Sequence, residues 1–109
     1  MLKNWNELCS LLAEKFGTEA DLNSVLFLIG MRERGLTFQP FSKEEKMNLI
    51  HLGSCVLYQE MGLTENIGTD RDGWPLFVQR TVAADIPEER KYKVLQDCAL
   101  RYFNRVFQL

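Results

Sequence analysis

A histidine and a cysteine four positions apart, His51 and Cys55, are the residues of this 109-residue chain whose types and spacing could do chemistry. Residues at i and i+4 are neighbours on a helix, and a thiolate beside an imidazole is the simplest nucleophile open to such a chain. Ser54 and Tyr58 fall close to them on the helical wheel, and Trp74 follows downstream. His51, Ser54, Cys55, Tyr58 and Trp74 are therefore the candidate polar seam or pocket. A nucleophile also requires access, an oxyanion site and a group to orient its base. The sequence assigns none of these, so catalytic residues stay unknown. The favoured reading of the seam is internal: a buried histidine bonded to a backbone carbonyl or to Tyr58, with the cysteine acting as a small apolar residue. The polar lining of a small-molecule pocket is the alternative.

Metal chemistry finds little support in the spacing. His51 and Cys55 supply two ligands, Cys9, Cys98 or Glu60 would have to complete the set, and structural zinc takes four. Cys9 and Cys98 lie on separate apolar stripes where packing accounts for them, so no metal is expected. Asp70-Arg71-Asp72-Gly73 resembles the start of a calcium loop, but the twelfth position counted from Asp70 is Thr81 rather than a bidentate glutamate. Asp70, Asp72 and Gly73 are better read as the turn of a hairpin. Trp74 beside that turn is either a lid on the core or an exposed binding anchor, and the lid is the simpler account. No G-x-G-x-x-G, Walker loop or H-E-x-x-H occurs, and no cofactor is expected.

The elements that must position these residues are mostly helical. Trp5, Leu8, Cys9, Leu12 and Phe16 recur at intervals of three and four, with Asn4 and Glu7 resembling a capping box and Gly17 a stop. A second helix follows, capped by Thr18 with Asp21 near its positive end, and turns Leu22, Val25, Leu26 and Ile29 inward until Gly35. Phe27 and Leu28 widen that face, and Arg32-Glu33-Arg34 reads as a solvated tail. Ser42 with Glu45 opens the central helix, Ser42 to Met61, which carries no formal charge from Met47 to Gln59. Such a helix is expected to be buried nearly all round. Phe41 is placed as a hydrophobic staple, though Lys46 stands where its partner should, and Gly53 suggests a closely crossing neighbour helix.

Beyond Gly62 the pattern changes to two short extended segments, Leu63 to Gly68 and Trp74 to Arg80, around a turn. Pro75 marks an edge position. The last helix begins near Asp85, which forms a box-like cap with Glu88, and its stripe runs through Tyr92, Leu95, Ala99, Tyr102 and Val106, widened by Cys98, Phe103 and Phe107. The fold class is thus mainly α: a four-helix bundle-like domain with a short β-hairpin inserted between helices three and four. Residues 1–109 read as one domain, since a chain of this length removes about 65% of its unfolded surface from water.

Charge narrows the partners. Thirteen basic against fifteen acidic side chains give a formal net charge of -2, which argues against nucleic acid or an anionic membrane as the main partner. The last helix has a mild basic bias, with Arg90, Lys91, Lys93, Arg101 and Arg105 diluted by Glu88, Glu89 and Asp97. Three dispersed cysteines form no disulfide framework and suit a reducing cytosol. No apolar run approaches the roughly 20 residues of a membrane span. A cytoplasmic protein is expected.

The run FSKEEKMNLIHLGSCVLYQEMG followed by TDRDGWP resembles small uncharacterised helical proteins of Bacteroidetes-type bacteria. The likeness rests on the His-x-x-x-Cys step, the glycine after it and the D-x-D-G-W-P turn, and covers the middle third of the chain. It implies a compact, mostly helical cytosolic protein and brings no activity with it. Leu76-Phe77 stands here where that group carries more polar residues. The function expected from the sequence is non-enzymatic: interaction with another protein, or self-association as a homodimer, through surplus apolar surface on the second helix, the hairpin or the last helix. The alternative is a small-molecule or Cys/His-dependent enzymatic site around the central helix.

Overall fold

The computed structural model describes residues 1–17, 20–79 and 86–108. Helix α1 spans Trp5–Phe16. Asn4 caps it by accepting a hydrogen bond from the Glu7 N–H at 2.9 Å, while the Glu7 carboxylate takes the Lys3 N–H instead of closing a box on Asn4. Gly17 ends the helix in the left-handed region at φ 66°, a conformation that glycine adopts without steric cost. Helix α2, Leu22–Arg34, is capped by Asp21 itself, whose side chain accepts from the Ser24 N–H at 2.8 Å. Thr18, the expected cap, lies outside the described residues. The inward face of α2 is as broad as its sequence suggests, with Val25, Leu26, Leu28, Ile29, Gly30 and Met31 buried.

Helix α3, Lys43–Glu60, starts at a complete capping box between Ser42 and Glu45. Phe41 does not staple onto Met47, which is exposed; it meets Phe27 of α2 edge-on at 5.6 Å. The expectation of burial nearly all round is corrected here, because only Leu49, Leu52, Gly53 and Leu57 of α3 are buried. An uncharged run is not an apolar one. Asn48, His51 and Gln59 carry polar groups without charge, and these positions are exposed.

The α2–α3 pair is antiparallel and unusually close. Gly30 lies against the backbone carbonyl of Leu49, and Gly53 lies reciprocally against that of Leu26. A Cβ at either glycine would sit inside the contact distance of a carbonyl oxygen. The close crossing suggested by Gly53 is present, and Gly30 is its partner.

Strands β1, Thr64–Thr69, and β2, Pro75–Gln79, form an antiparallel hairpin with Thr64 opposite Gln79 and Thr69 opposite Pro75. The register shifts between Asn66 and Gly68, leaving Ile67 as a bulge. Asp70 shapes the turn: its Oδ1 accepts from the N–H groups of Asp72 and Trp74, both at 2.9 Å, and Gly73 takes φ 88°. These are the bonds of an Asx turn.

Helix α4, Glu88–Val106, follows Pro87 without a side-chain cap. Asp85 lies outside the described residues. Its buried face comprises Leu95, Cys98, Ala99, Tyr102 and Phe103, whereas Tyr92 is 53% exposed, so the inward stripe begins one turn later than the spacing suggests. The Asn104 side chain ties the two ends of the chain together, accepting from the Leu2 N–H at 2.8 Å and donating to the Leu2 carbonyl at 3.0 Å. One hydrophobic core draws residues from all four helices. The protein is therefore mainly α with an inserted hairpin, as the sequence indicates. Among the described residues no helix is long and apolar enough to cross a membrane.

Candidate functional site

The hairpin lies over α3 without sealing it. Phe77 of β2 borders three clefts beneath the hairpin, each shared with α3 residues. Two attachments hold the hairpin in place. The Thr64 hydroxyl donates to the Cys55 carbonyl at 2.7 Å. Arg34, at the end of α2, donates to the Asp72 carbonyl at 2.7 Å and stacks its guanidinium over the Trp74 ring at 5.1 Å. Trp74 also packs against the core, which fits its reading as a lid.

His51 and Cys55 face this hairpin. Their Nε2 and Sγ atoms are 3.6 Å apart, a weak sulfur hydrogen bond across one helical turn. His51 is exposed rather than buried, and among the described residues it bonds neither to Tyr58 nor to a backbone carbonyl. The internal seam expected from the sequence is thus replaced by an open one. The cause is coverage: the hairpin is tied to α3 at the Thr64 hydroxyl and leaves space on either side of Phe77.

That space forms two clefts meeting at the His51–Cys55 pair. The first, about 390 Å³, is lined by Asn48, Asp70, Trp74, Leu76 and Phe77 together with the pair. The second, about 300 Å³, brings in Tyr58, Thr64, Val78 and Lys91. The structure therefore joins His51, Cys55 and Trp74 in one cleft and His51, Cys55 and Tyr58 in the other. Ser54 lines neither, and its hydroxyl donates to the Ile50 carbonyl of its own helix at 3.3 Å. Of the turn residues, Asp70 borders the first cleft, while Asp72 and Gly73 meet Arg34.

Burial pushes the Cys55 thiol above its ordinary range, so it stays protonated at neutral pH. Tyr58 is also raised, first by burial, with nearby Lys91 opposing. Among the described residues no hydrogen bond orients His51 from behind, and no group of three or more His, Cys, Asp or Glu side chains is placed to hold a metal. The other ligands considered are engaged elsewhere. Cys98 is buried in the core, and Glu60 pairs with Arg105.

Phe77, Arg34 and a charged group around Tyr102 are the functional neighbours the sequence reading missed. Arg32 and Glu33 are exposed, as a solvated tail would be, but the segment also makes long-range contacts. Arg34 secures the hairpin, and Glu33 accepts a hydrogen bond from the Tyr102 hydroxyl at 2.7 Å. A signal for the latter exists in the sequence: a tyrosine on an inward stripe must find a partner for its hydroxyl. No family model, curated protein or solved structure matches this chain.

Proposed function

We propose that this chain is a binding domain that takes a small, largely apolar ligand in the cleft between α3 and the hairpin. The observation that carries this reading is that His51, Cys55 and Trp74 border one solvent-open cleft of about 390 Å³. That size lies within the range of small-molecule sites, and Trp74, Leu76 and Phe77 supply apolar walls with a few polar groups to fix orientation. Cys55 serves as lining rather than as a nucleophile, since burial disfavours its thiolate.

Alkylation with N-ethylmaleimide tests the reading. Cys55 is expected to react in the native protein while Cys98 reacts only on unfolding, and a bound aromatic probe such as indole is expected to slow the Cys55 reaction. Resistance of Cys55 until global unfolding would show a sealed cleft and end the proposal. An alkylation rate unaffected by indole also counts against it.

Self-association is a second reading, favoured by the exposed apolar residues of the hairpin. Ile67 is 58% exposed, and Leu76 and Val78, at 41% and 38%, stay open to solvent where they border the two clefts. A two-fold pairing of copies would bury the same face on both and stabilise a hairpin that is marginal alone. The surplus apolar residues of α2 support it less, because Phe27 packs on Phe41 and Leu28 is buried. Light scattering decides: a strict monomer at high concentration removes this reading.

A further inference from the structure

We propose that the cleft where the ends of α1, α2 and α4 meet binds a small carboxylate with an apolar body, such as a short-chain fatty acid. The cleft encloses about 260 Å³, is completed by the connection after α2, and takes no residue from α3 or the hairpin. It shares no lining residue with the clefts around Phe77, so it is a second site with its own ligand chemistry. Its volume is just below the usual range of drug-sized sites, which calls for a small ligand.

The lining is apolar apart from Arg32 and Thr37. Leu28, Met31 and Phe103 are core residues and form its floor. Phe107 packs on Phe103 with ring centroids 5.3 Å apart, while Phe16 and Phe38 face each other at 5.8 Å and stay exposed. Aromatic rings left in water around a concavity with an apolar floor favour whatever covers them.

The charge at the edge decides what that is. Lys15, in the last turn of α1, holds its ammonium over the Phe107 ring at 5.2 Å, and among the described residues no carboxylate pairs with it. Arg32 is neutralised by Glu33 at 2.8 Å, and no acidic side chain among the described residues lines the cleft. Glu14, next to Lys15 in sequence, borders a different depression on α1. The edge therefore carries one uncompensated positive charge. A carboxylate can reach the Lys15 ammonium in a charge-assisted hydrogen bond while its chain lies between Phe16, Phe38 and Phe107. An amine of the same shape is repelled by that lysine, and an alcohol gains the apolar contact alone.

The test is a 1H–15N NMR titration of the whole chain with sodium hexanoate, 1-hexanol and hexylammonium chloride at matched ionic strength. Hexanoate is expected to give saturable shifts at the amides of Phe16, Phe38 and Phe107, with hexanol binding more weakly and hexylammonium weakest. Lys15→Gln is expected to weaken hexanoate about threefold, the order for an exposed ion pair, and to leave hexanol unchanged. Phe38→Ser is expected to weaken both. The proposal is overturned by no saturable shift at these amides, by shifts centred on the hairpin instead, by equal affinity for the three ligands, or by hexanoate binding unaltered in Lys15→Gln. Both substitutions are at exposed positions; should either variant unfold, the three-ligand comparison on the native chain still decides. Hexanoate is not expected to slow Cys55 alkylation, so this site and the hairpin cleft stand or fall separately.

Discussion

Tyr102 shows how much a single residue couples here. It is buried on α4, yet its hydroxyl reaches Glu33, 69 positions away in sequence, while Arg32 and Arg105 lie over its ring. Burial, reinforced by the Glu33 carboxylate, pushes its phenol well above the ordinary tyrosine range. The folded pKa therefore exceeds the unfolded one. The stabilisation is complete below the unfolded value near pH 10 and is lost as pH rises from there through the folded value. Tyr102→Phe is expected to cost about 1–3 kcal/mol at neutral pH, the range for a hydrogen bond to a charged group. It should also flatten the alkaline fall in denaturant midpoint, leaving the slope that the raised Tyr58 phenol and the raised Cys9, Cys55 and Cys98 thiols contribute. That Tyr102 needs a partner was legible in its place on an inward stripe. Its choice of Glu33 was not, because a pairing over such a distance depends on how α2 and α4 cross. His51 failed for a related reason: its neighbours suggested burial, but exposure depends on how tightly the hairpin fits.

At the scale of elements, the helix starts and stops were the most legible features. Asn4, Ser42, Gly17 and Gly35 act where the sequence places them, since capping depends on residues within one turn. Two caps carry a pH signature. Backbone N–H donors, at Ser24 and at Ser42, hold the carboxyls of Asp21 and Glu45 below their ordinary values. Their contribution is present above the unfolded carboxylate pKa and is lost as pH falls through the folded one. Asp21→Asn is accordingly expected to reduce the acid dependence of the urea midpoint, measured from neutral pH downward. Gly53 was legible as a close approach, whereas Gly30, inside an apolar run, gave no sign of its role. Replacing either by alanine forces a Cβ onto backbone. Overpacking costs up to about 3 kcal/mol, and alanine's better helix propensity offsets about 1, so each variant is expected to lose about 2 kcal/mol. In the double variant the loss should fall short of the sum, because one widening of the helix pair relieves both clashes.

Across the whole molecule, the order of elements was legible because hydrophobic periodicity changes so plainly after Gly62. The placement of the hairpin was not, since its attachments run through Thr64 and Arg34, which belong to no local pattern. A two-stranded hairpin held by so few attachments should open more readily than the helices beneath it. Native hydrogen exchange is expected to show β1 and β2 amides opening at lower free energy than those at the centres of α2 and α3. Arg34→Ala removes both the bond to Asp72 and the stacking on Trp74. It is expected to speed hairpin exchange and Cys55 alkylation together, with helix exchange little changed; uniform acceleration would mean that the hairpin is an integral part of the cooperative core. The helices set the frame for any such opening. Gly30 against Leu49 and Gly53 against Leu26 are equivalent contacts about a local two-fold axis through the α2–α3 crossing. A pair joined this way resists sliding, since a slip brings a side chain flanking one of the glycines, such as Ile29 or Leu52, against backbone. The groove thus has a stationary floor and a movable roof. Spin labels should register ligand binding as a change between hairpin and α3, with the α2 to α3 separation constant.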